Sequence, residues 1–265
     1  MRKPLGQQVG PYLCFNPGMK NTLVIQSHKN PLPFRWLEAC LQSVYQWADA
    51  NQFDYHFLDD AELFACVPDE LLEKTREQIV IATDLGRLRL LQQGLAKGYQ
   101  TVIWCDADFL IFNPDKFLLP ESNYALGREV WVQENANGKL KAYNKVHNAF
   151  LMFRQGNSFL DFYADTAQRL LELNQGSMPP QFIGPKLLTA LHNIAVCPVM
   201  ENAGMLSPLV MRDLMAGQGR ALDLFRAKSP MPIDGANLSG SLTELERFSE
   251  EDMTRLIEGL ITGDS

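Results

Sequence analysis

Apolar and polar positions along this chain follow two periods, and the switches between them mark the elements. Leu23-Val24-Ile25 is an unbroken apolar run bounded by Thr22 and by Gln26-Ser27, which reads as a short buried strand. A Pro-rich turn follows at Pro31 and Pro33. Over residues 34–50 the apolar positions return at helical spacing, with Trp36, Leu37, Cys40, Leu41, Val44, Trp47 and Ala48 in the stripe. Residues 54–58 read as a second strand, closed by Asp59-Asp60. Strand, helix and strand, with polar residues at the strand ends, predict a parallel α/β sheet.

The same reading predicts helices over 69–80 and 83–97, the second carrying Leu85, Leu88, Leu91 and Leu95 and stopping at Gly98. A strand over 101–105 leads into Asp106, and Asn113-Pro114-Asp115 ends the apolar run beyond it. Residues 122–154 read as several strands, with Asn137-Gly138 turning a hairpin between 130–132 and 140–143. Helices over 158–173 and 185–192, a strand over 195–199, and helices over 208–216 and 249–260 complete the pattern. The Gly- and Ser-rich stretch 234–241 reads as a surface loop or a lid. There is no internal repeat and no long linker, so residues 1–265 are expected to form one domain with an irregular arm at 1–20.

Composition narrows the class. The chain is 46% hydrophobic and 21% charged, enough for a sizeable core. A formal net charge of -7 argues against a general nucleic-acid partner, whose phosphates need a basic face. The five cysteines, Cys14, Cys40, Cys66, Cys105 and Cys197, are scattered, which argues against structural zinc and for a reducing, cytoplasmic compartment. No apolar run has the length of a signal peptide or a membrane span, which leaves peripheral contact with the inner face of a membrane open.

The chemistry concentrates at Val102-Ile103-Trp104-Cys105-Asp106-Ala107-Asp108. Two carboxylates one residue apart repel each other and are costly to bury. A divalent cation between them removes both costs and brings phosphate oxygens with it. At the end of a sheet strand they would face the crevice where α/β proteins bind ligands. A turn in which both Asp residues cap backbone amides is the plain alternative. A haloacid-dehalogenase-type phosphatase is disfavoured, because Phe109-Leu110 stands where that chemistry wants Thr or Val.

Asp84 and Arg87, at i and i+3, share a helix face. They either cap and pair locally or hold sugar hydroxyls, the carboxylate accepting and the guanidinium donating. Were the helix to begin at 83, Arg87 would sit in its first turn, where the dipole disfavours a cation.

Taken together, Ala82-Thr83-Asp84-Leu85-Gly86-Arg87, the Gly98 turn and Trp104-Cys105-Asp106-Ala107-Asp108 resemble the glycosyltransferases with a DXD sugar-binding region. That group includes initiating mannosyltransferases, bacterial capsular and lipooligosaccharide transferases and, more remotely, clostridial glucosylating toxins. Asn148-Ala149-Phe150-Leu151-Met152 and Phe182-Ile183-Gly184-Pro185-Lys186-Leu187-Leu188-Thr189 are similar to its downstream segments. The resemblance implies a GT-A fold, an α/β nucleotide-sugar-binding sheet with flanking helices and a small additional β region. It implies a UDP- or GDP-sugar donor, a glycan or other hydroxyl acceptor, Mn2+ or Mg2+, and retention at the anomeric carbon. Asp106 would contact the ribose or the metal, and Asp108 would ligate the metal. Asp84, Arg87 and Asn148 would hold the donor sugar, and Gln26 and Ser27 would meet the nucleotide. Residues 200–265 would form the acceptor and lid region.

The chain also departs from that pattern. The group's C-terminal His-x-x-x-Ser-Trp corresponds here to Asn237-Leu238-Ser239-Gly240-Ser241-Leu242, which makes Asn237 the candidate third metal ligand, through a carbonyl oxygen. No catalytic base is evident. His28, His56, His147 and His192 read as structural, Trp36, Trp47, Trp104 and Trp131 as packing, and Gly184-Pro185 as a helix start. Two rivals remain: a nucleotide-sugar-binding protein without transfer activity, and a nucleotidyltransferase. The latter is disfavoured because residues 26–33, QSHKNPLP, contain no glycine to wrap a triphosphate.

Overall fold

A computed structural model describes residues 20–243 and 245–263. The expected arm at 1–20, Lys20 apart, lies outside the described residues. In chain order the first half contains β1 (Thr22–Ser27), α1 (Trp36–Ala50), β2 (Asp54–Leu58), α2 (Asp60–Phe64), α3 (Asp69–Lys74), α4 (Ile79–Ala96), β3 (Thr101–Cys105), β4 (Phe109–Ile111) and β5 (Tyr124–Glu134). The second half contains β6 (Leu140–Arg154), α5 (Ser158–Leu173), α6 (Pro185–Ala195), β7 (Val199–Met200), β8 (Ala203–Met205), α7 (Pro208–Met215), α8 (Arg220–Lys228), β9 (Gly235–Asn237), α9 (Gly240–Thr243) and α10 (Glu250–Thr262).

The main sheet runs β2-β1-β3-β6-β5-β7, and a second sheet runs β4-β9-β8. β2, β1 and β3 are parallel, as expected. β6 is antiparallel to both β3 and β5, so the sheet is mixed rather than parallel. The hairpin dictates this, since a five-residue connection can join only antiparallel strands. Asn135 holds that turn, its side chain accepting from the backbone of Asn137 and Lys139, with Gly138 at φ 69°.

Strand alternation sorts the core. Leu23, Ile25, Val102 and Trp104 face α4, α5 and α6, while Val24, Ile103 and Cys105 face α1. A third cluster packs the C-terminal helices under the hairpin, with Val130, Val132, Met211, Phe225 and Leu256 among its members.

Several expectations are corrected. The helix expected over 69–80 is broken: α3 stops at Lys74, a single 3-10 turn spans Arg76–Gln78, and the next α-helix begins at Ile79 rather than at 83. Arg87 therefore lies in the middle of α4, away from the positive end of the helix dipole. The strand expected over 195–199 shrinks to Val199–Met200, because α6 continues to Ala195 and closes on Val196 in a left-handed conformation. Residues 234–241 are neither surface loop nor lid: β9 is fully buried between β4 and β8, and α9 follows it. Hydrophobic pattern misses it because its sequence, Gly-Ala-Asn, carries no large apolar side chain. The short helices α2 and α8 were not legible from periodicity either. Among the described residues, no helix is long and apolar enough to cross a membrane.

Candidate functional site

β1, β2 and β3 end at one edge of the sheet, and Asp106 lies immediately past β3 at that edge. Period-two alternation turns Asp106 to the same side as Trp104, toward α4. There α4 presents Asp84 and Arg87 from one buried face, their side chains 4% and 5% exposed. Arg87 Nη2 lies 3.3 Å from Asp84 Oδ1, and Arg87 Nη1 lies 3.0 Å from Asp106 Oδ1. The Asp106 Oδ1 atom also accepts from Trp104 Nε1 at 2.6 Å, and the guanidinium sits 5.1 Å from the Trp104 ring centroid. Trp104 is thus core, as expected, and part of the site as well. Only its position beside the acid signalled this.

Asn148 closes the group from β6. Its Nδ2 donates to Asp84 Oδ1 at 2.7 Å, and its carbonyl accepts from Arg87 Nη1 at 2.8 Å. A register shift between Leu126 and Gly127 frees Asn148 from the hairpin ladder, because pairing resumes at His147. The fully buried His147 ring lies against Gly127, where any Cβ would overlap it. Its Nδ1 accepts from Ala149 N, so its Nε2 donates to the Ala203 carbonyl. Burial lowers the His147 pKa to about 4, against the opposing pull of the Ala203 hydrogen bond. This histidine is structural, as expected. Gly184 packs over the same group: a Cβ there would lie 2.8 Å from Asn148 Nδ2 and closer still to Asp84. Glycine is required by this contact, beyond its place before the helix-starting Pro185.

Asp108 faces the opposite wall. Asn237 Nδ2 donates to its Oδ1 at 2.5 Å, and Gly240 N donates to its Oδ2 at 2.7 Å. Gly240 gave no sequence signal beyond being a glycine. Gln26 lies fully buried beneath, its Nε2 donating to the Asp106 carbonyl at 3.0 Å and its Oε1 accepting from Tyr55 at 3.0 Å. Both ends of that amide are committed within the protein. Ser27, at the end of β1, keeps a buried hydroxyl without a hydrogen-bond partner.

Two carboxylates, Asp84 and Asp106, thus share the Arg87 guanidinium, and Asp108 stands apart on its Asn237 and Gly240 bonds. Burial raises the Asp84 pKa to about 6, with Arg87 and Asn148 opposing and Asp106 adding to the rise. Burial also raises Asp108 to about 6, reinforced by repulsion from Asp106 and opposed by the Gly240 and Asn237 hydrogen bonds. For Arg87 burial opposes the charge, but Asp106 and Asp84 more than offset it and its pKa is raised. Among the described residues no cluster of three or more His, Cys, Asp or Glu forms a self-sufficient metal site. The Asp106–Asp108 pair nevertheless suits a cation. The Asp106 bonds fall on Oδ1 and leave Oδ2, and the Asp108 carboxylate keeps lone-pair capacity beyond its Asn237 and backbone donors. One or two carboxylates, completed by water and phosphate, is the usual magnesium set.

No protein-family model matches the sequence, and no curated protein matches it. Solved structures do align with it. A glycosyltransferase involved in the glycosylation of the major capsid of PBCV-1 covers 89% of this chain and 99% of its own, at 9% identity and a TM-score of 0.45. An active-site mutant of LgtC covers 90% and 95%, at 15% identity and a TM-score of 0.46. The PaToxG glycosyltransferase covers 92% and 87%, at 11% identity and a TM-score of 0.37. At these scores the likeness carries no weight for individual residues, and the functional reading stands on the geometry.

Proposed function

We propose that this chain is a metal-dependent glycosyltransferase that moves a sugar from a UDP- or GDP-sugar to a glycan or other hydroxyl acceptor, with retention. The observation that carries the reading is the placement of Asp106 and Asp108 at the carboxyl edge of the sheet, beside the buried Asp84–Arg87–Asn148 group. A Mn2+ or Mg2+ ion on Asp106 and Asp108 would supply Lewis-acid neutralisation of the diphosphate leaving group.

The protein groups then divide the remaining work. Asp84 and Arg87 present an acceptor and donors to sugar hydroxyls, and Asn148 fixes both. Ser27 offers its free hydroxyl to the nucleotide, while Gln26 holds the Asp106 backbone from below. Residues 200–265 are assigned to acceptor binding. The cysteines described, Cys40, Cys66, Cys105 and Cys197, are unbonded, which supports a cytoplasmic setting, with contact at the inner face of a membrane left to the acceptor.

One observation favours a second reading. Asn237 donates to Asp108 instead of offering it a fellow ligand, as suits a nucleotide-sugar-binding protein without transfer. Melting the protein with a panel of nucleotide sugars, with and without Mn2+, tests donor binding, because a ligand of the folded state raises the melting temperature. A hydrolysis assay on the stabilising donor separates the two readings. Failure of every UDP- and GDP-sugar to shift the melt would sink both.

A further inference from the structure

The segment Asn237–Gly240 surrounds Asp108 with three donors in four residues. Asn237 Nδ2 reaches Oδ1 at 2.5 Å, Gly240 N reaches Oδ2 at 2.7 Å, and Leu238 N reaches the Asp108 carbonyl at 2.9 Å. The orientation of the Asn237 amide is decided by its other end. The carbonyl Oδ1 accepts from Ser239 N at 2.8 Å. Turning the amide over would set an NH2 against that N–H and an oxygen against the Asp108 carboxylate, losing both bonds. The backbone offers no slack. Asn237 pairs with Phe109 on one side and Met205 on the other, and its carbonyl accepts from Leu206 N at 3.0 Å. Ser239 holds the turn at φ 53°, a left-handed conformation uncommon for a residue with a side chain, and its Oγ ties it to the Leu206 carbonyl at 2.8 Å. Gly240 packs so closely that a Cβ would lie 3.0 Å from Asp108 Oδ2 and 3.1 Å from Trp36.

We infer that Asn237 is a positioning residue rather than a metal ligand: with Gly240 N it clamps the Asp108 carboxylate in one rotamer, and the chain supplies its cation with two protein ligands, Asp106 and Asp108. This rests on the donor-site reading for its purpose but not for its geometry. The C-terminal third thereby acts on the donor site through Asp108.

The clamp exists without metal, so it is tested without metal. The full-length protein is melted in EDTA as wild type, Asn237→Ala, Asp108→Ala and the double variant. Asn237→Ala is expected to lower the melting temperature by about 5 °C in the wild-type background, the scale of a lost hydrogen bond to a charged group, and by much less once Asp108 is gone. Gly240→Ala, which leaves Asn237 intact, reads the same clamp and is expected to show the same dependence on Asp108. Additive losses in EDTA, together with coupling that appears only when Mn2+ is added, would overturn the inference and restore Asn237 as a ligand. Mn2+ binding followed by electron paramagnetic resonance in the presence of UDP or GDP gives the second readout. Asp108→Ala is expected to abolish binding and Asn237→Ala to weaken it about tenfold, as loss of a supporting partner does. Coupling in EDTA with no Mn2+ binding by any form supports the clamp and overturns the donor-site reading instead.

Discussion

Asn148 donates to Asp84 across 2.7 Å, although 64 residues separate them. This bond joins the helix that carries Arg87 to the strand beside Asp106, and Gly184 seals it from above. The Asp84–Arg87–Asn148 group is therefore a unit, and its parts are expected to fail together.

Gly184→Ala places a methyl where Asp84 and Asn148 already touch. Overpacking of this kind costs about 1–3 kcal/mol. The expected result is a drop in kcat/KM of at least about tenfold with the protein still folded, since misplacement near a reacting group has large effects on rate. Steady-state kinetics on the donor identified by melting, paired with circular dichroism, check it. Unchanged kinetics would show that the Asp84–Asn148 contact has no part in turnover.

Arg87→Ala removes the only guanidinium facing Asp84 and Asp106 among the described residues. Breaking a buried ion pair from one side costs about 3–5 kcal/mol. Denaturant unfolding measures the loss. Arg87→Lys is expected to recover only part of it, because an ammonium cannot serve two carboxylates and the Asn148 carbonyl in one plane.

His147 predicts how stability depends on acid. Its pKa is about 4 in the fold, against 6.5 unperturbed, so the unfolded chain takes up the proton first as pH falls. Its contribution is complete above pH 6.5 and is lost toward pH 4, a total of about 3 kcal/mol. Asp84 runs the other way: its raised pKa favours the fold below its unperturbed value, and that advantage fades as pH rises through about 6. The test is therefore the difference between wild type and His147→Gln. The variant is expected to lose less stability between pH 6.5 and 4, measured by urea unfolding at each pH.

Asp108→Ala is expected to abolish donor turnover and leave a folded protein. Its stability should fall by about 1–3 kcal/mol, because Asn237 and Gly240 lose their acceptor. Full activity in this variant would remove the metal from the proposal.

Local order along the chain was enough to place the elements that carry chemistry. Three strands are legible at their observed bounds because Leu23-Val24-Ile25, residues 54–58 and residues 101–105 each combine apolar content with polar stops. The same order put Asp106 and Asp108 past a buried strand and set Asp84 and Arg87 on one helix face, since the periods of strand and helix are properties of the backbone alone. Everything that joins distant segments was decided by packing. The Leu126–Gly127 register shift frees Asn148 from the ladder, Gly184 closes over it, and Gln26 holds the Asp106 carbonyl. The reversal at 234–240 has the same origin. Gly-Ala-Asn carries no hydrophobic period, yet it becomes a buried strand because β4 and β8 satisfy its backbone on both sides, with Phe109, Phe117 and the Leu110 carbonyl packed against Gly235. Sequence named the acids by their spacing. Only the tertiary structure could give Asp108 its clamp, because a hydrogen bond spanning 129 residues depends on which surfaces meet and leaves no trace in any local period.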